Sequence, residues 1–385
     1  MKIEFGDIYP DLLAVSEVVD DSLLEKDKRN VIFRITGTVV DLIGVNQYVL
    51  FTRTLDAKMA VVSGNTATDP VYIQLNSKEL LNFLGTYRTG ETKVDKITFE
   101  QTKQGVKLTV VESDTTTKKT TTSSWDFGTY VINAQLLSAI NRTAPTTGLT
   151  QIKGSELKSY TRNLLPITEP GTGIFSKVVF GTDYAVAFSK THVTFIKNGL
   201  GSPMSGIQMP QRCVAFLDKV MCEEEDITVG LDTPYMYLKG TNSEAYIRYE
   251  DKLPDYKKYI DVYSTDHSMT VDLAYFKAML KRVGILRDEA VTIKLLDDES
   301  ALMFANSHLN QELPVLASED MAVLKGKAIR VMPEVFEKAI IAGACADGGG
   351  LNLYLAPITE TNALLCFGDS TGNWFSAINI KLITG

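Results

Sequence analysis

The side chains that could do chemistry are few and scattered. Histidine titrates nearest neutrality, and the three present, His192, His267 and His308, never lie four residues apart, so no helix presents a metal-binding pair. The four cysteines, Cys213, Cys222, Cys345 and Cys366, contain no C-x-x-C spacing. Cys213 and Cys345 fall in helical patterns and Cys366 in a strand-like run, which is how buried free thiols in a reducing compartment look. Gly171-Thr172-Gly173 lacks a following phosphate-binding helix, and Gly348-Gly349-Gly350 reads as a helix stop plus a loop. The acidic runs Glu223-Glu224-Glu225-Asp226 and Asp297-Asp298-Glu299 read as solvated turns. No cofactor or metal follows from these residues. An enzyme whose site is assembled between domains stays open as an alternative, with His192 and Cys345 as the groups to test.

Cations are arranged more purposefully. A helix over Leu273–Val283 puts Leu273, Phe276, Leu280 and Val283 on one side, with Lys277 and Lys281 flanking that stripe and Arg282 roughly opposite. Such a helix could bury one face and turn three positive charges toward phosphates. Arg212 and Lys219, seven residues apart, share another helical face, and Lys78, Arg142, Lys158, Arg162 and Lys338 are further candidates for the same role. The first helix opposes this trend: Asp7, Asp11, Glu17, Asp20 and Asp21 make it acidic.

The elements that carry these residues recur. Ile73-Gln74-Leu75-Asn76, Ile207-Gln208-Met209-Pro210 and Ile329-Arg330-Val331-Met332-Pro333 are apolar strands running into helices, at intervals of roughly 130 residues. Leu80, Phe83, Leu84 and Tyr87 give the first of these three helices its apolar face, and Cys213, Phe216, Leu217 and Val220 repeat that template, as do Phe336, Ala339, Ile340 and Gly343. Hairpins follow: Ile97–Glu100 with Lys107–Val111, Ile227–Leu231 with Tyr235–Lys239, and Leu351–Leu355 with Ala363–Phe367. Preceding halves rhyme through helices at Tyr9–Val19, Asn133–Ile140 and Leu273–Val283. The expectation is an α+β chain of three tandem domains, 1–128, 129–264 and 265–385, with an irregular insertion at 143–175 and two helices packed on antiparallel sheets in each. The formal charge of −8 over 385 residues argues against a protein coated in nucleic acid but not against a local basic face. No apolar stretch approaches a membrane span, and the N-terminus does not read as a signal peptide.

Ala245-Tyr246-Ile247-Arg248-Tyr249, followed by Leu253-Pro254-Asp255-Tyr256-Lys257-Lys258-Tyr259, resembles the segment that closes the second domain of bacterial DNA polymerase sliding clamps. Met269–Asp272 into Lys277–Val283 is similar to the first helix of that family's third domain, and Ile207–Leu217 to its strand-into-helix element. The resemblance is clear over about residues 205–385 and diffuse before that, and it suggests a divergent bacteriophage member acting in the host cytoplasm. It implies three DNA-clamp domains per chain, closed head-to-tail by two chains into a ring around duplex DNA, with no catalytic activity. The inner helices would then attract phosphates without reading sequence.

The resemblance also implies a pocket between the second and third domains that captures short peptides of the polymerase and the clamp loader. Carried over, it comprises Thr191 and His192, then Pro254, Lys258 and Tyr259, and the final strand with Ile378, Asn379, Ile380, Lys381 and Leu382. The family's Gly and Arg beside the His are missing here, and Asn379 stands where the family has a proline. Core packing is the competing reading for Ile378, Ile380 and Leu382, and an ordinary strand histidine for His192. A trimeric ring, or a virion protein of tandem β-rich domains, are the remaining alternatives.

Overall fold

The computed structural model describes residues 1–19, 29–56, 58–65, 69–88, 92–171, 173–201, 203–257, 267–283, 290–342, 350–368 and 373–384. The chain forms two compact units, Met1–Gly154 with Lys219–Arg248, and Ser155–Asp218 with Tyr249–Gly385. The division falls inside the expected second domain, whose residues are shared between the two.

In chain order the elements are β1 (Lys2–Phe5), α1 (Tyr9–Ser16), β2 (Asn30–Thr36), β3 (Val39–Val45), β4 (Val49–Thr54), β5 (Ala60–Ser63), β6 (Val71–Asn76), α2 (Ser77–Gly85), β7 (Thr92–Gln101), β8 (Gly105–Asp114), β9 (Thr120–Gly128), α3 (Ala134–Ile140) and β10 (Thr150–Lys153). They continue as α4 (Gly154–Leu164), β11 (Lys177–Phe180), β12 (Tyr184–Phe188), β13 (His192–Lys197), β14 (Ile207–Pro210), α5 (Gln211–Lys219), β15 (Asp226–Asp232), β16 (Tyr235–Lys239) and β17 (Ser243–Arg248). The remainder is β18 (Ser268–Asp272), α6 (Leu273–Val283), β19 (Val291–Leu295), β20 (Ala301–Ala305), β21 (Asn310–Glu319), β22 (Lys327–Val331), α7 (Pro333–Ala342), β23 (Gly350–Pro357), β24 (Asn362–Gly368) and β25 (Trp374–Thr384).

The first unit holds a five-stranded sheet, β5-β1-β7-β8-β9, and an eight-stranded sheet, β10-β15-β16-β17-β4-β3-β2-β6. Helices α1 and α2 pack on each other, and one face of the eight-stranded sheet supports them. Phe5, Phe33 and Phe99, from β1, β2 and β7, meet in the core with centroids 4.9 Å (Phe5–Phe99) and 5.0 Å (Phe33–Phe99) apart. The second unit holds a twelve-stranded sheet, β14-β11-β12-β13-β25-β22-β19-β20-β21-β18-β23-β24, in which β24 also pairs with β25. Eight of its strands therefore close on themselves around a core that includes Phe276, Phe336 and Phe367.

Among the described residues, strand runs into helix at six places: β1 to α1, β6 to α2, β10 to α4, β14 to α5, β18 to α6 and β22 to α7. Local chemistry makes the switch. The last residue of β6, Asn76, accepts the Glu79 amide at 3.0 Å, and the last residue of β18, Asp272, accepts the Tyr275 amide at 2.7 Å. Each side chain satisfies one of the orphan N–H groups of the helix that follows. Prolines do the equivalent job at the start of α1 and α7, where a missing N–H costs little.

The repeat is thus sixfold in half-domains, and one expectation is corrected. Residues 143–175 are not an irregular insertion: they contain β10, α4 and 3-10 turns at Leu165–Ile167 and Ile174–Ser176. The second repeat's first helix is α4. The segment Asn133–Ile140 is helical as expected, but α3 belongs to a connector that lies on the other face of the eight-stranded sheet. There Leu136 and Ile140 pack with Ile32, Ile43, Leu50, Tyr237 and Tyr246. Composition hid α4 because Gly154, Ser155 and Thr161 are poor helix formers. Tertiary fit requires the glycine: a Cβ at Gly154 would lie 1.9 Å from the Glu224 carbonyl oxygen. Gly154→Ala is expected to lower unfolding free energy by about 2 kcal/mol through overpacking, measured by urea denaturation. An unchanged midpoint would show that this joint is not tightly packed.

Candidate functional site

The cationic helices come first. On α6, Leu273, Phe276, Met279 and Leu280 are buried, while Ala274, Tyr275, Ala278, Lys281 and Arg282 form an exposed face and Lys277 is half-buried. The side chain of Val283 lies outside the described residues. The sequence pattern found this face but omitted Met279, which completes the buried stripe. Lys78 on α2, Arg162 on α4, Arg212 and Lys219 on α5 and Lys338 on α7 are also exposed, and Lys158 is half-buried. Helices α4 and α5 are held by Thr161, whose hydroxyl donates to Asp218 Oδ1 at 2.7 Å.

Arg142 and Lys219 are among the candidate cations already engaged. Arg142 is half-buried; its guanidinium stacks 4.0 Å above Tyr235 and 5.5 Å from Tyr246, and it pairs with Asp232 at 3.1 Å. It pins the α3 connector to the sheet and is not presented to solvent phosphates. Lys219 Nζ sits 2.8 Å from Glu17. Its partner belongs to a wider pattern, because the acids of the first helix are neutralised locally. Asp7 pairs with Arg88, and Asp11 accepts from Arg53 Nε at 2.9 Å. Asp20 and Asp21 lie outside the described residues.

Arg53 also reaches Glu224, at 2.9 Å. Glu224 further accepts from the Ser243 hydroxyl at 2.6 Å and the Thr241 amide at 3.0 Å. Its side chain is only 12% exposed. The expectation that the run 223–226 is a solvated turn is therefore wrong for Glu224, which is a structural acid. Sequence could not show this, because the charge that selects it lies on β4.

The second cluster is the seam between β13 and β25. His192 pairs in register with Ile378, and its ring is buried. A carbonyl can only accept, so Nε2 carries the proton and donates to the Val335 oxygen of α7 at 2.8 Å. Nδ1 then accepts from the Thr191 hydroxyl at 2.7 Å. Two residues along, Thr194 and Ser376 share a hydrogen bond of 2.8 Å with neither exposed. Ile378, Ile380 and Leu382 face the core of the second unit and are buried there, as the core reading held. They form no open surface; the alternate residues Asn379 and Lys381 are exposed, as is Thr191. Pro254 is half-buried, and two residues on Tyr256 inserts between Val179, Val186, Phe188 and Phe195. A Cβ at Gly181 would lie 2.1 Å from the Tyr256 hydroxyl, so only glycine leaves room for that ring. Lys258, Tyr259 and Cys345 lie outside the described residues. Sequence reading missed Val335, Thr194, Ser376 and Tyr256; only Tyr256 had a signal, its place in the Pro254-Asp255-Tyr256 run.

Nothing among the described residues gathers a reactive constellation. No group of three or more His, Cys, Asp or Glu side chains there could hold a metal ion. Burial pushes the Cys213 thiol up to about 12 and the Cys366 thiol still higher, which leaves both protonated and unreactive. No helix of the described residues is long and apolar enough to cross a membrane.

This arrangement of paired helices backed by antiparallel sheets is similar in fold to solved structures of bacterial DNA polymerase III beta subunits. No protein-family model and no curated protein matches the sequence. Solved structures match over the whole chain. A putative DNA polymerase III beta subunit from Eubacterium rectale is similar with a TM-score of 0.73 at 11% identity, covering 100% of both chains. The DNA polymerase III beta subunit of Thermotoga maritima gives 0.73 at 12%, covering 99% of each, and a DNA polymerase sliding clamp from Pseudomonas aeruginosa gives 0.72 at 14%, covering 98% of this chain and 99% of that one.

Desolvation holds the His192 pKa below its ordinary value of 6.5, with the bond to the Val335 carbonyl opposing the shift. A depressed folded-state pKa means that the unfolded chain takes up the proton first. The contribution is complete above 6.5 and is lost as pH falls from there through the lowered value. Between pH 7 and 5, wild type is therefore expected to lose more stability than His192→Gln, measured by thermal unfolding. Parallel pH profiles would contradict the buried neutral imidazole.

Proposed function

We propose that this chain is a DNA sliding clamp: a ring-forming, non-enzymatic protein that encircles duplex DNA and tethers the replicative polymerase. What carries the reading is the correspondence of the whole fold with bacterial clamps over 98–100% of the chain. The surface chemistry supports it. A protein with a formal charge of −8 nevertheless leaves α6 with three cations and no acid, while the acids of α1 that are described are paired internally. Phosphate attraction of this kind is diffuse and salt-dependent, as sliding requires.

The same reading makes the ring a homodimer. The edge strand β9 supports it: among the described residues it pairs only with β8, and Trp125, opposite Leu108, is 57% exposed beside Phe83. A nine-residue edge with unpaired N–H and C=O groups and an aromatic anchor is a template for a strand of another copy. Peptides of the polymerase and clamp loader would dock at the surface seam formed by Thr191, Pro254, Asn379 and Lys381; Lys258 and Tyr259, assigned to the same pocket by the resemblance, lie outside the described residues. Ile378, Ile380 and Leu382 would shape it from beneath, and the His192–Val335 bond would set the spacing of its walls. Such a protein would act in the cytoplasm of a bacterial host, and a bacteriophage origin fits the low identity.

Two measurements test this. Light scattering at micromolar concentration is expected to give twice the chain mass, and Trp125→Asp is expected to give the single-chain mass; a wild-type monomer would contradict the ring. In duplex binding, Lys281→Ala with Arg282→Ala is expected to lower the dependence of log K on log salt by about 0.9 per lost phosphate contact. An unchanged slope would remove α6 from the DNA-facing surface.

A further inference from the structure

The first unit contains a cleft of about 350 Å³ that neither the DNA-facing helices nor the β13–β25 seam uses. It opens between the start of α1, the end of α2 and the beginning of β7, and its lining includes Leu84, Val94 and Ile97 with Tyr9, Tyr87 and Arg88. The floor is apolar: Ile97 and Leu84 are almost fully buried. Two half-buried tyrosines wall it, and among the described residues the rim carries Arg88 and Lys93 against one acid, Asp7.

Three features make this more than a gap between elements. First, the ladder between β7 and β8 shifts register between Val94 and Lys96. A bulge there re-aims the start of β7, the stretch that supplies Lys93 and Val94 to the cleft. Secondly, Lys93 is exposed and holds no ion pair among the described residues. Thirdly, Arg88 is held by an exchangeable arrangement. Its guanidinium lies 4.8 Å from the Tyr9 ring centre, and its ion pair with Asp7 leaves the two side chains 43% and 49% exposed. An exposed pair of this kind is weak, and a better-placed carboxylate can displace Asp7.

We propose that this cleft is a second docking site, taking an acidic peptide segment of a partner protein that carries a short anchor of large apolar side chains. The apolar anchor would fill the space above Leu84 and Ile97. Flanking carboxylates would pair with Lys93 and with Arg88, the latter exchanging Asp7 for the peptide. Charge complementarity selects the occupant: the described residues of the rim are net positive on a chain whose overall charge is −8. Peptide recognition of this form draws its energy from the buried anchor and its specificity from the charged rim.

The test is fluorescence anisotropy with a labelled decapeptide of four glutamates on each side of a Leu-Phe pair, on the full chain. Binding is expected to weaken at least tenfold for Lys93→Glu and for a peptide with Ala-Ala in place of Leu-Phe. Asp7→Asn is expected to strengthen binding several-fold, because it removes the internal competitor for Arg88; a merely structural Asp7 would not do this. A lysine-for-glutamate peptide is expected not to bind. Absence of binding at 1 mM peptide, or equal binding by Lys93→Glu, overturns the proposal. So does a deoxynucleoside monophosphate that binds more tightly than the peptide and depends on Lys93, which would make this a nucleotide site. Protection of Lys93 from acetylation that appears only where the chain is dimeric would give the cleft to a second copy, and would equally overturn it.

Discussion

Main-chain pairing between strands that are distant in sequence is the constraint on which the rest depends. In the first unit β17 pairs with β4, Ser243 opposite Arg53 through Ile247 opposite Val49. In the second, β13 pairs with β25, His192 opposite Ile378 through Ile196 opposite Trp374. Each ladder removes two sheet edges that would otherwise expose unpaired N–H and C=O groups. Each hydrogen bond contributes only about 1 kcal/mol net, yet leaving a buried one unmade costs more. The seams are therefore strongly preferred once the apolar residues beside them are in place. Side chains then lock the register: Arg53 bridges Asp11 and Glu224 at the first seam, and the Thr194–Ser376 and His192–Val335 bonds do so at the second.

The same logic locates function at what is left unpaired. Sheet edges are consumed inside each unit except at a few strands, and β9 is the longest and most exposed of those described in the first unit. Helices bury one face on the sheets and leave another to solvent, and on α6 that other face is cationic. The acids of α1 are matched to Arg88, Arg53 and Lys219, so local pairing reduces the repulsion that this helix would offer a polyanion. An acidic protein can in this way keep a basic surface without a basic composition.

Much of the architecture was legible in the chain because periodicity and capping are local. The strand-into-helix joints at Asn76, Pro210 and Pro333, and the hairpins around Gly105, Thr233 and Thr361, follow from alternation and turn residues alone. Helix α4 was not legible, because its glycine, serine and threonine content argues against a helix and only the close approach of Glu224 explains Gly154. The site was less legible than the fold. Sequence identified the exposed cations of α6 but could not foresee that Arg142 would be taken up by Tyr235, Tyr246 and Asp232, which come from strands about a hundred residues away. Nor could alternation say which face of β25 meets the core; burial assigns Ile378, Ile380 and Leu382 to it and leaves Asn379 and Lys381 outside.

Topological retention tests the sliding-clamp account most directly. The chain, crosslinked after incubation with a covalently closed plasmid, is passed over a sizing column at a salt concentration that abolishes phosphate attraction. The account expects it to co-elute with the plasmid and to be released when one restriction cut linearises the DNA. Equal release before and after the cut, or retention on both forms, would contradict it.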